Sequence, residues 1–178
     1  MALSQWFLPN LVLIYYIFVT LINYGGTRNI CKNLNYTTIR DERRSTSKPT
    51  QAGNILLCDR SVIQESIWYR FEIANGNQLA TTRPKINHCG TYSPIWINGS
   101  HPTVADGKVF RKACAFLPFS LPHGCAYSYK ITVLNCSGFY VYRLKPPDHC
   151  YLAYCIASNQ TSNRTTSPPP GKSRFIKC

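Results

Sequence analysis

Short stretches of alternating apolar and polar residues, each bounded by turn formers, set the pattern of most of this chain. Ile67, Tyr69, Phe71 and Ile73 alternate with Trp68, Arg70 and Glu72, the period-two signal of a half-buried strand. Asn75-Gly76 follows as a turn. Tyr127–Leu134 predicts a second strand, with Tyr127, Tyr129, Ile131 and Val133 on one face. Asn135-Cys136-Ser137-Gly138 turns the chain and Phe139–Leu144 returns it, with Gly138 suited to the positive φ of such a hairpin. Pro146-Pro147 then ends the strand, because proline donates nothing to a ladder. Asp106-Gly107 marks another turn before a strand over Val109–Phe116. Tyr36–Ile39 and Asn54–Leu57 read as a loosely ordered hairpin joined by the long polar connection Asp41–Gly53. No segment carries sustained helical periodicity, though short helices fit around Pro122 or Tyr151. The fold class expected is mainly β: a small antiparallel sheet domain with an N-terminal β-hairpin and few short helices.

One stretch breaks the pattern. Leu11–Val19 is an unbroken apolar run inside a looser one, Trp6–Ile22, that contains Pro9 and Asn10. A membrane span needs about 20 apolar residues and a signal-peptide core about 7–15, so residues 1–26 read as a signal peptide. No Lys or Arg precedes the run, and Asn23–Gly26 is the best cleavage region in the absence of a clean small-x-small site. The alternative, an uncleaved anchor, would keep the basic side carrying Arg28 and Lys32 in the cytoplasm. The cysteines and glycosylation sequons oppose that orientation.

Nine cysteines follow: Cys31, Cys58, Cys89, Cys114, Cys125, Cys136, Cys150, Cys155 and Cys178. No CxxC pair occurs, and His88, His101, His123 and His149 lack finger spacing, so no metal site is expected. Asn-x-Ser/Thr sequons stand at Asn35, Asn98, Asn135, Asn159 and Asn163. Together with the leader-like start they describe an oxidised, N-glycosylated, secreted, extracellular chain. All 20 Lys and Arg and all 7 Asp and Glu fall after Gly26, so the formal charge of +13 belongs to the mature part. That charge favours anionic glycans or anionic membranes; simple solubility is the plainer account. No nucleic-acid module is visible.

Four segments result: 1–26 leader, 27–57 hairpin segment, 58–155 cysteine-rich domain and 156–178 tail. The tail is rich in Ser, Thr and Pro and lacks the apolar surface to fold. Its Cys178 is the odd cysteine, available for a covalent dimer or for a further module. Enzymatic chemistry is not expected: no GxSxG, HExxH or phosphate-binding glycine loop occurs, and the acids are scattered. No cofactor is implied. The stretch PIWINGSHP, Pro94–Pro102, sets a sequon directly beside an apolar run. Gly99 permits a tight bend there and Pro102 stiffens the exit.

Several runs recur in order: IWYRF over Ile67–Phe71, Cys89-Gly90-Thr91, PIWINGSHP, Asp106-Gly107 with Val109, Arg111–Ala115, Cys136–Tyr142, Pro146-Pro147 and Cys150–Cys155. Together they resemble the eight-cysteine domain shared by uromodulin, the pancreatic secretory granule membrane major glycoprotein and the oncoprotein-induced transcript 3 protein. The resemblance covers about Cys58–Cys155 and, more weakly, the segment from Cys31, which in this family is a β-hairpin stapled to the domain. Two family cysteines are replaced here by Arg83 and Gly124. The resemblance implies that those two pair with each other, and that the rest pair as Cys31–Cys136, Cys58–Cys150, Cys89–Cys155 and Cys114–Cys125. Loss of the missing bridge is expected to loosen the loop Gln78–Ile86 against Pro118–Gly124. The resemblance further implies a non-catalytic binding or adhesion module, with Asn98 presenting glycan to lectins or to mannose-binding microbial adhesins. A second family presentation site falls on Arg143, where no sequon exists. Asn135 has a cysteine inside its sequon, which disfavours its use, while Asn159 and Asn163 read as solubilising sites. Two alternatives remain: a structural module of a matrix or mosaic protein, and a cationic host-defence protein. No amphipathic basic helix supports the latter.

Overall fold

The computed structural model describes residues 7–118 and 124–158. A seven-stranded mixed sheet forms the body. Its strands are β1 (Tyr36–Ile39), β2 (Trp68–Phe71), β3 (Ser93–Asn98), β4 (Lys108–Ala115), β5 (Tyr127–Asn135), β6 (Tyr140–Arg143) and β7 (Leu152–Tyr154), in the spatial order β1-β2-β6-β5-β4-β3-β7. The four central pairings are antiparallel, and the two outermost, β1 with β2 and β3 with β7, are parallel. Helices are few: α1 (Phe7–Asn33), α2 (Asp59–Val62) and a 3-10 turn over Glu42–Arg44. Four disulfides cross-tie this mainly β body.

The alternating pattern lands where period two puts it. Tyr69 and Phe71 of β2 are buried, as are Tyr129, Ile131 and Val133 of β5, while Ser128 and Lys130 face water. These rings and branched chains meet Ile95 and Ile97 of β3, Tyr142 of β6 and Tyr154 of β7 in one core. At the β5–β6 hairpin the Cys136 N–H donates to the Phe139 carbonyl (2.9 Å), and Gly138 holds φ +130°.

Three expectations need correction. Asn54–Leu57 forms no strand, so there is no N-terminal hairpin; β1 instead lies parallel to β2, in the register Tyr36 to Trp68 through Ile39 to Phe71. The polar connection after β1 is not loose. Arg44 and Ser45 are 2% exposed, and the Ile156 N–H donates to the Arg44 carbonyl at 2.8 Å. Tyr151 begins no helix; it precedes β7, whose three residues are all buried. The body also runs past Cys155. Ile156 is fully buried, and the Ser158 N–H donates to Thr46 Oγ1 at 2.9 Å.

The expected helix at Pro122 lies outside the described residues, as do residues 159–178 of the tail with Asn159, Asn163 and Cys178. Helix α1 runs without a break across Asn23–Gly26, and Leu11–Phe18 are each 50–68% exposed. Among the described residues no helix is long and apolar enough to cross a membrane.

Candidate functional site

Asn98 is the last residue of β3 and its one exposed position; the five before it are buried. Trp96, only 7% exposed, packs with Ala80 and with Cys89, Cys114 and Cys155. The strand end is held on both sides. Asn98 lies opposite Lys112 of β4, and the Ile97 N–H donates to the Ala80 carbonyl at 2.8 Å. Beyond it, Gly99 adopts φ +134° with open space where a side chain would stand. Arg111 Nε donates to the Ser100 carbonyl (2.8 Å), pinning the bend to the neighbouring strand. A rigid apolar footing thus ends in an exposed amide within one residue.

The other described sequons differ. Asn35 is exposed just ahead of β1. Asn135 is half-buried, and its Nδ2 is already engaged. It donates to the Pro102 carbonyl (3.0 Å) and to the Tyr140 hydroxyl (3.1 Å), while Oδ1 accepts from the Ser137 N–H (2.9 Å). A sugar on that nitrogen would displace at least one of these bonds. Asn98 and Asn135 therefore share a sequon pattern but not an availability.

His101 sits beneath the bend. Its Nε2 lies 2.8 Å from the Tyr142 hydroxyl, and its ring packs on Tyr140 at 4.5 Å between centroids. Burial, helped by the nearby Arg111 guanidinium, lowers its pKa to about 4. The ring is therefore neutral at physiological pH. The Tyr142 hydroxyl accepts from the Leu79 N–H (3.2 Å) and shares a hydrogen bond with the His101 imidazole, which ties the loop to the core.

The disulfides join Cys31 to Cys136, Cys58 to Cys150, Cys89 to Cys155 and Cys114 to Cys125, with Cα–Cα distances of 5.7, 4.3, 5.5 and 5.0 Å. The first fastens the end of α1 to the β5–β6 turn. The third is fully buried beside Trp96. Arg83 lies against Gly124: its Nη1 would stand 3.3 Å from a Cβ there, and its guanidinium sits 4.5 Å from the centre of the Phe116 ring. A cation–π contact, worth about 0.5–1 kcal/mol at an exposed position, thus joins Arg83 of the loop Gln78–Ile86 to Phe116, just ahead of the loop Pro118–Gly124, whose residues 119–123 lie outside the described residues.

A buried ion pair is the main feature that the sequence did not disclose. Arg44 binds Asp59 through both terminal nitrogens, at 2.8 and 2.6 Å, with side chains 3% and 0% exposed. Arg44 Nη1 also donates to the Tyr154 carbonyl (3.1 Å), and Asp59 Oδ2 accepts the Tyr154 N–H (2.7 Å). The segment after β1 is thereby locked onto β7. Arg44 occurs in the run Asp41-Glu42-Arg43-Arg44, which reads as a solvated surface. The adjoining Ser45 and the burial of both partners could not be inferred from that composition. No group of three or more His, Cys, Asp or Glu residues that could hold a metal occurs among the described residues.

Comparison with known proteins places these observations. Residues 69–156 match the uromodulin-like family of eight-cysteine domains. Uromodulin of Rattus norvegicus is 45% identical over 89 residues, 49% of this chain and 13% of that protein. Uromodulin of Mus musculus is 43% identical over 121 residues, 67% of this chain and 17% of that protein. The pancreatic secretory granule membrane major glycoprotein of Canis lupus familiaris is 33% identical over 143 residues, 80% of this chain and 26% of that protein. The chain thus spans about a quarter or less of the length of these relatives.

Proposed function

From the premise that this chain carries a uromodulin-like eight-cysteine domain, homologous over most of its length to uromodulin and the pancreatic granule glycoprotein, we propose that it is a secreted, non-catalytic glycoprotein module. Its role is to present an N-linked glycan on Asn98 to carbohydrate-binding proteins, mannose-specific microbial adhesins among them. The carrying observation is the position of Asn98, the one exposed residue of a buried strand, followed by an open, pinned bend. A sugar there would be held at a fixed orientation, which reduces the ordering cost that a lectin meets on binding. Asn35 carries a second, accessory glycan. Asn135 stays bare, because its nitrogen serves the fold. The leader is removed in the region of Asn23–Gly26, which frees the exposed apolar turns of α1 while leaving Cys31 attached to the body.

The test is lectin binding. Protein secreted by cells that make only oligomannose glycans is expected to bind a mannose-specific adhesin, and Asn98→Gln is expected to lose at least ten-fold in affinity. Asn135→Gln should leave both the glycan mass and the binding unchanged. Equal adhesin binding by wild type and Asn98→Gln would refute presentation from this position.

A further inference from the structure

The face of β4 and β5 that points away from the core has an unusual distribution of charge. Between Gly107 and Pro147 the chain contains six basic residues, Lys108, Arg111, Lys112, Lys130, Arg143 and Lys145, and no Asp or Glu. Lys112 and Lys130 are direct cross-strand partners, and Phe110 stands next to them opposite Thr132. Like charges placed directly opposite destabilise a sheet. Lysines added for solubility alone gain nothing from that arrangement.

No carboxylate relieves it. The seven acids are occupied elsewhere. Asp41, Glu42, Asp59 and Glu72 pair with basic residues outside this face, Glu65 neutralises Lys145, which lies beyond the end of β6 and off the β4–β5 face, Asp106 caps its own turn through Thr103, and Asp148 accepts from the Tyr129 hydroxyl. Among the described residues Lys108, Lys112 and Lys130 form no ion pair. Phe110 is 64% exposed, and the Lys130 ammonium lies 4.0 Å from its ring centre. Phe110, Lys112, Ser128 and Lys130 line a shallow depression of about 320 Å³.

We propose that this face, Lys108, Phe110, Lys112 and Lys130, binds a sulfated polysaccharide chain. A polymer with an anion on each successive sugar matches lysines set a strand spacing apart across β4 and β5, about 5 Å, and about 14 Å apart along β4. The Phe110 ring offers an apolar platform for one sugar face between the charges. A membrane fits less well, since one exposed aromatic supplies little to insert. Single-stranded nucleic acid calls for successive exposed stacking rings; here Phe110 is exposed, while Trp68 in the same cross-strand row is half-buried, with the Lys108 ammonium 5.8 Å from its ring centre. This binding is independent of the glycan at Asn98, although that residue lies across from Lys112 at the edge of the same face.

The experiment measures binding of the full secreted chain to immobilised heparin, before and after enzymatic removal of N-glycans. Lys112→Glu/Lys130→Glu is expected to weaken binding at least ten-fold. A charge-matched control, Lys48→Glu/Lys85→Glu, changes two exposed lysines away from this face and should weaken it less than three-fold. Phe110→Ser should weaken binding two- to five-fold without changing net charge. Rising salt should release the wild type. Circular dichroism and melting verify that each variant is folded, and Lys112→Gln/Lys130→Gln repeats the test without introducing acids. Equal losses for the patch and control pairs would overturn the site, reducing the effect to net charge. Undiminished binding to chemically desulfated heparin would overturn the ligand class. So would phosphatidylserine vesicles that bind with the same lysine dependence while heparin does not.

Discussion

At the β7 edge of the sheet, Arg44 and Asp59 lie in a dry interior, joined by two hydrogen bonds and each bonded also to the backbone of Tyr154. On the β4–β5 face, Lys112 and Lys130 lie opposite each other in water with no acid between them. His101 is an intermediate case, a half-buried base with no acid beside it, and it has given up its charge. The difference follows from desolvation. A charge taken out of water survives only when it is paired and hydrogen-bonded. A charge left in water needs no partner inside the protein and stays free for one outside. The buried, paired charges therefore hold this fold together, while the unpaired lysines of β4 and β5 are the ones that the proposed ligand would meet.

The comparison breaks most severely if one half of the buried pair is removed. Asp59→Ala leaves the Arg44 guanidinium uncompensated and the Tyr154 N–H without its acceptor. The expected loss is about 3–5 kcal/mol of folding stability, read as a fall in the denaturant midpoint. Arg44→Met/Asp59→Leu should recover the part of that loss due to the stranded charge, while the Tyr154 N–H and carbonyl still lack their side-chain partners. If the double variant were as unstable as Asp59→Ala, the pair's contribution would lie in shape rather than in electrostatic balance.

How much of this was legible depends on what a side chain reports to its sequence neighbours. Strands β2 and β5 alternate because one face is wet, so period two revealed them. Strands β3 and β7 are buried on both faces, so Pro94–Ile97 and Leu152–Tyr154 carry no alternation to read. The parallel pairing of β1 with β2 joins residues 32 apart, such as Tyr36 and Trp68, and no local pattern encodes that. Asn54–Leu57 looked strand-like from its apolar end, yet Ile55 is 88% exposed and nothing pairs its backbone into a ladder. The exposed position of Asn98 at the end of a buried strand was legible, since a sequon abutting an apolar run is a local signal. The Arg44–Asp59 pair was not, because charged residues read as solvated until a tertiary partner is seen. The contact of His101 with Tyr142 spans 41 residues and was equally silent.

His101 sharpens the contrast through pH. Its folded pKa, about 4, is below the ordinary value of 6.5. Above 6.5 both folded and unfolded chains hold a neutral ring, so the residue contributes nothing to the pH dependence. As the pH falls from 6.5 toward 4, the unfolded chain takes up the proton first. Stability therefore drops across that window and levels off below it. With the solvent screening due to a half-buried ring near Arg111, the drop amounts to about 1–2 kcal/mol. His101→Gln keeps a hydrogen-bonding partner for the Tyr142 hydroxyl and removes the titration. Its melting temperature should fall less than that of the wild type between pH 7 and pH 4.5. Parallel profiles for the two proteins would place the acid sensitivity in other groups.

The smallest effect tests the exposed half of the contrast and has an unusual sign. Lys112→Glu replaces a like-charge pair across β4 and β5 by an opposite-charge one, without disturbing a buried atom. Cross-strand pairs of this kind are worth about 0.2–1 kcal/mol. The variant should therefore be slightly more stable than the wild type at low salt, and the gain should shrink as salt screens both charges. Its heparin affinity should fall at the same time. Opposite movement of stability and binding in one substitution is what a ligand-directed lysine predicts. Net charge alone would lower heparin affinity equally in Lys48→Glu, so the opposition supports a ligand role only where Lys112→Glu loses more than that control, and a variant that lost both stability and binding would mean that Lys112 supports the sheet rather than serving a ligand.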